Sequence, residues 1–129
     1  MIIPLILRSV AEYDCVKRKT SHPVIMRRAA DTPLREAKEV HYFVSRMCIH
    51  LNISLPKIRT GNGYNSWARV INYTINIGLR GANAEIVLHE LSHLICPKSE
   101  PLGTQRKTYH GSDFVKTLDR LLLVWDGIQ

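Results

Sequence analysis

The sequence predicts an α+β fold: one domain over residues 1–129, with a small, mostly antiparallel sheet packed against helices. Three observations predict it. Residues 67–79 alternate between apolar and polar, the period of a strand with one face buried. Apolar residues recur at helical spacing in residues 34–51, 84–95 and 112–125. Glycines and prolines punctuate the stretches between them, at Gly61, Gly63, Gly78, Gly81 and Pro97. Helices and strands in this order, without regular β–α alternation, suggest α+β layers.

Taken in order, residues 2–10 read as a strand, with Pro4 favouring a sheet edge. Residues 14–31 read as irregular and basic, around a short apolar island at Val24, Ile25 and Met26. The first helix is expected to be capped by Thr32, with Pro33 at its first position. Its apolar stripe is Leu34, Ala37, Val40, Phe43, Val44, Met47 and Leu51, and Asn52 is its stop. His41 and His50 lie nine residues apart on it. They therefore face opposite sides and cannot share a metal. Residues 53–58 suggest a strand interrupted by Pro56, and Gly61-Asn62-Gly63 a turn. Residues 67–79 are either one long strand or two broken near Asn72. Asn83 is the expected N-cap of the next helix, Glu85 falls in its first turn, and Pro97 stops it. Ser112 is the expected N-cap of the last helix, whose stripe is Phe114, Val115, Leu118, Leu121, Leu122 and Trp125.

Bulk composition narrows the class. A hydrophobic fraction of 45% can fill a core. No run of 18 apolar residues offers a membrane span, and the apolar start lacks the flanks of a signal peptide. No membrane partner is expected. Three cysteines, Cys15, Cys48 and Cys96, give an odd count without framework spacing, which suits a reducing cytoplasm. The net charge is +7. Lys17, Arg18, Lys19, Arg27 and Arg28 fall within residues 17–28 with no acid among them. A solvated loop is the ordinary explanation, and a nucleic-acid contact the sharper one.

The informative motif is His89-Glu90-Leu91-Ser92-His93. Helical residues four apart project from one face, so both imidazoles can bind one zinc ion. Glu90 lies about 100° round the helix, where a carboxylate can take the proton of a water acidified by the metal. With 6 histidines in the chain and as many glutamates, a chance match has odds of about 1 in 80. Context must therefore carry the assignment, and the capped, apolar helix supplies it. A catalytic zinc needs a third protein ligand and one open position. His110, followed by Gly111 and the last helix, is the favoured third ligand. Gly111 tolerates positive φ and lets the backbone approach closely. Glu100 is a rival ligand. Cys96 lies on the same helical face, and as a fourth ligand it would make the zinc structural. Asp113 can orient a ligand imidazole or simply serve the helix dipole. Tyr64, Tyr73 and Tyr109 are candidates for stabilising an oxyanion.

The pair of motifs, His89-Glu90-Leu91-Ser92-His93 and His110-Gly111-Ser112-Asp113-Phe114, resembles the SprT-like zinc metallopeptidases and related minimal zincins. It is also similar to small metallohydrolases of actinobacteria and their phages. The resemblance covers roughly residues 34–125, with its sharp motifs in 85–122. It implies a minimal zincin-like fold, His89, His93 and His110 as zinc ligands, and Glu90 as general acid/base. It further implies an extended peptide substrate paired with the strand at about 73–79. A zinc-dependent metallopeptidase in the cytoplasm, acting on protein or peptide, is thus expected. The alternative is a basic module binding nucleic acid or nucleoprotein, with a structural or inactive zinc site. A regulatory peptidase of the ImmA/IrrE type is a third reading.

Overall fold

The structure is a computed structural model that describes residues 19–96 and 110–129. Within them, four helices and a three-stranded mixed sheet make an α+β arrangement. In chain order they are α1 (Pro23–Ala30), α2 (Ala37–Leu51), β1 (Lys57–Gly61), β2 (Trp67–Arg69), β3 (Thr74–Gly78), α3 (Ala84–Ile95) and α4 (Ser112–Gly127). The strand expected over residues 2–10, and Pro97 as a stop, lie outside the described residues.

α1 replaces the irregular segment expected before residue 31. It is short and basic, so its composition hid it. Two signals were nonetheless present: Pro23 takes the first turn, and Arg27 and Arg28 close the last turn, where the helix dipole favours cations. Met26 and Ala29, three residues apart, are buried and tie it to the core.

α2 begins later than Thr32-Pro33 would place it. Leu34 N–H donates to the Ala82 carbonyl at 3.1 Å, and Ala84 N–H donates to the Thr32 carbonyl at 2.9 Å. Pro33 and Asn83 form an antiparallel bridge. This extended pairing uses the backbone groups that a helix would need. The helix starts instead at Ala37, where the Glu39 carboxylate accepts from the N–H groups of Arg35 and Glu36, each at 3.1 Å. Asn52 ends it as expected, in the left-handed conformation at φ 56°.

The sheet order is β1-β3-β2. β1 pairs parallel with β3 (Lys57↔Thr74 to Gly61↔Gly78), and β2 pairs antiparallel with it (Trp67↔Asn76 to Arg69↔Thr74). The sheet is therefore mixed rather than mostly antiparallel. The break near Asn72 is real: residues 70–73 form the turn between β2 and β3. Ile75 and Ile77 face the core and are fully buried. The opposite face carries Lys57, Arg59, Trp67 and Arg69. Because β1 and β2 flank β3, the connection between them has to cross β3, and it does so at Gly78. A Cβ on Gly78 would lie 2.5 Å from the Gly63 carbonyl oxygen and 2.6 Å from Asn65 N. The crossing is fastened by Asn76 Nδ2 donating to the Asn65 carbonyl at 2.9 Å and Gly78 N–H to Ser66 Oγ at 3.0 Å.

β3 being interior corrects one expectation. Both its edges are taken, so residues 73–79 cannot accept a further strand. The strand beside α3 with an edge unpaired among the described residues is β2.

α3 is the hub. It packs on α1, α4, β2 and β3. Its buried residues include Val87, Leu88, Leu91 and Leu94, but also Glu85, His89, Glu90 and Ser92. A helix enclosed this way buries polar residues with its apolar ones. Buried apolar side chains contribute about 1.5–3 kcal/mol each, and Phe114, Leu118, Leu121 and Leu122 of α4 join Val40, Val44 and Met47 of α2 in the same cluster.

Candidate metal centre

α3 starts where the sequence says it should. Asn83 Oδ1 accepts from the Ile86 N–H at 2.9 Å, and the helix runs to Ile95 with Cys96 as its C-cap. This sets the phase of His89, Glu90 and His93. α4 starts at Ser112 with Gly111 as N-cap, one residue earlier than expected, and the Gly111 side contributes no capping bond. Gly111 has φ −72°, so no left-handed conformation is needed there. The packing of α4 on α3 carries His110, which directly precedes Gly111, to the two helical imidazoles.

His89, His93 and His110 each offer one ligand nitrogen, and all these atoms lie within 4.8 Å of one another. His110 Nε2 is 3.0 Å from His89 Nε2. Zinc–nitrogen bonds of about 2.0–2.1 Å imply a tetrahedral edge of about 3.4 Å, so this pair already stands near the separation one ion would impose. The ring centroids are 5.0 Å (His89–His93), 4.8 Å (His89–His110) and 5.1 Å (His93–His110) apart. The donor set suits a divalent metal that prefers imidazole.

Two further residues shape the cluster. Phe114, in the first turn of α4, is fully buried, and its ring lies 5.1, 4.4 and 4.8 Å from those of His89, His93 and His110. It is the apolar plate against which all three imidazoles rest. The helical stripe foretold its burial but not this contact. Lys19 Nζ donates to the His110 carbonyl at 3.5 Å. It is brought there by Thr20 Oγ1 donating to Asp119 and by Ser21 N–H donating to Asp119 Oδ2 at 3.1 Å. No local sequence signal marks Lys19, because the contact spans 91 positions.

Burial holds all three imidazoles neutral. His89 is pushed well below the ordinary histidine value by burial, with His93 and His110 adding to the effect. His93 falls to about 3 through burial and the neighbouring His110. His110 falls to about 4 through burial and the Lys19 charge. Neutral imidazole is the form that binds metal. The same shifts bear on stability. Unfolded histidines take up protons below about pH 6.5, whereas the folded ones resist until about 4 and about 3 for His110 and His93. The unfolded state therefore binds more protons in that window, and acid favours it. The metal-free protein should therefore become progressively less stable as pH falls below about 6.5. Urea unfolding at pH 7.5 and pH 5 measures this as a lower midpoint at pH 5.

Glu90 is buried at 6% exposure, beside His89 on α3. Cys96 is buried and free, and among the described residues it does not join the histidine group. Asp113 stands in the first turn of α4. Tyr73 donates its hydroxyl to the Ser54 carbonyl at 2.6 Å, and Tyr64 is exposed under Arg80. Glu100 and Tyr109 lie outside the described residues, as do Cys15, Lys17 and Arg18. In the basic stretch, Arg28 pairs with Asp126 on the surface. His41 and His50 are exposed. A cavity of about 550 Å³ between α2 and the end of α4 shares no lining residue with the histidine cluster. No helix among the described residues is long and apolar enough to cross a membrane. Comparison with protein-family profiles, curated proteins and solved structures finds no match.

Proposed function

We propose that the protein is a zinc-dependent hydrolase, a metallopeptidase in which His89, His93 and His110 hold the metal and Glu90 is the general base. One observation carries the reading: three neutral imidazoles from two elements converge beside a buried carboxylate. Zinc bound there would supply Lewis acidity, acidifying water and polarising a carbonyl. Three protein ligands would leave the fourth position open. Glu90 takes the proton of the attacking water and hands it to the leaving amine. Phe114 holds the imidazoles in place and excludes water behind them. An extended peptide substrate would run along the edge of β2 that is unpaired among the described residues, on a strand packed against α3. The resemblance to SprT-like peptidases agrees with these roles. A cytoplasmic setting suits the two buried free thiols, Cys48 and Cys96.

The test begins with the metal. Purified protein should carry close to one zinc per chain, and a chelator should remove both zinc and peptide hydrolysis. His110→Ala should weaken zinc binding by at least about 100-fold, exceeding the roughly 10–100-fold typical of losing a ligand's hydrogen-bond partner. Chelator competition measures this. A folded protein that takes up no zinc, or a His110→Ala variant with unchanged affinity, would remove the basis of the proposal.

A further inference from the structure

One end of the sheet runs against local rules. The turn between β2 and β3 has Ile71 and Asn72 at its corners, and Ile71 stands where glycine, aspartate, serine or a second asparagine is more usual. The turn ends on Tyr73 in the left-handed region, φ 50°, which a residue with a Cβ rarely adopts. Ile71 is 96% exposed, more than any other exposed large hydrophobic side chain among the described residues. Val70 and Leu55 are exposed beside it. The Tyr73 hydroxyl donates to the Ser54 carbonyl, Lys57 N–H to the Tyr73 carbonyl, and Tyr73 N–H to the Val70 carbonyl. These bonds gather Leu55, Val70 and Ile71 at one end. The other exposed aliphatic residues, Val24, Ile49 and Leu123, sit singly on three different helices, which is ordinary for a surface.

A basic collar adjoins this apolar tip. Lys57 and Arg69 flank Thr74 in the register, and one row further in Arg59 and Trp67 flank Asn76. Strand parity puts all of them on the face turned away from the core. The Arg69 and Arg59 guanidinium carbons lie 4.6 and 6.0 Å from the Trp67 ring centroid. No aspartate or glutamate occurs between Glu39 and Glu85, a stretch that contains all three described strands.

We infer that this end of the sheet docks on an anionic lipid surface, with Leu55, Val70 and Ile71 entering the acyl boundary and Lys57, Arg59 and Arg69 facing the headgroup phosphates. Apolar insertion beside a positive collar is how peripheral proteins hold such surfaces. A single sign of charge over the collar suits a uniformly anionic plane. Nucleic acid fits less well. The Trp67 ring is already engaged by two guanidiniums, and three aliphatic side chains give a phosphodiester chain nothing to hold. The expectation of no membrane partner rested on the lack of a spanning run, which a surface contact does not require. The inference is independent of the zinc proposal.

Sedimentation of the full chain with vesicles tests it. Binding is expected to phosphatidylcholine vesicles containing phosphatidylserine, falling as salt rises, with little binding to phosphatidylcholine alone. Arg69→Glu should weaken the partition at least about fivefold, the effect of losing roughly one headgroup attraction of about 1 kcal/mol. Ile71→Asp should lower it comparably or more. Both residues are exposed, so thermal melting of the variants should match the parent. Equal partition onto both vesicle types, no sedimentation, or Ile71→Asp binding like the parent would each overturn the inference. Retention of a single-stranded oligonucleotide, lost in Arg69→Glu but kept in Ile71→Asp without any vesicle binding, would replace lipid by nucleic acid.

Discussion

Replacing Glu90 with glutamine is expected to lower zinc-dependent peptide hydrolysis by about 10²–10⁴-fold while zinc stays bound. The substitution keeps shape and volume, but it removes the negative charge and turns one acceptor oxygen into an amide donor, so the side chain can no longer take up a proton. Glu90 is buried in the middle of α3. It is also not among the three residues whose ligand atoms converge. Zinc content and kcat/KM, measured on the same preparation, separate the possible roles. A variant as active as the parent would end the base assignment. A variant that lost its zinc would make Glu90 a ligand instead. The expected pattern, metal retained and turnover lost, marks a group that acts in the chemical step.

The second large effect is structural. Gly78→Ala should destabilise the fold by about 1–3 kcal/mol, the usual range for forcing volume into a packed site. A Cβ there meets Gly63 O, Asn65 N and Tyr64 C at 2.5–2.6 Å, all backbone atoms of the crossing connection. Backbone cannot swing aside as a long side chain can. Either the crossing lifts, breaking the Gly78–Ser66 and Asn76–Asn65 bonds, or β3 shifts and disturbs Ile77 against α3. Gly61, the register partner of Gly78 on β1, provides the control. Its Cβ would meet nothing within 4 Å, so Gly61→Ala should leave the denaturation midpoint almost unchanged. Urea unfolding of both variants checks the contrast. Equal midpoints would show that the crossing is not tight.

How much of this was legible in the chain depends on how local each signal is. The cap at Asn83, the stop at Asn52 and the stripe of α4 are written within one or two turns, and they hold. The convergence of His110 with His89 and His93 is expected from the Gly111 and capped helix that follow His110 and from the family resemblance, although it depends on the packing of α4 on α3. Long-range pairings were not legible. Nothing near Thr32 announces that its carbonyl will be taken by Ala84, so the start of α2 was read four residues early. Period two along 67–79 reveals strands and even their break, but not that β1 would insert β3 between itself and β2. The role assigned to residues 73–79 failed for that reason. α1 was hidden by brevity and charge, and Lys19 by a contact 91 positions away.

The enclosure of α3 by α1, α4, β2 and β3 has a consequence for metal capture. A helix held on all sides cannot fray or turn about its axis without opening the core. His89 and His93 are therefore held in place, and an ion bound as proposed would find them preorganised.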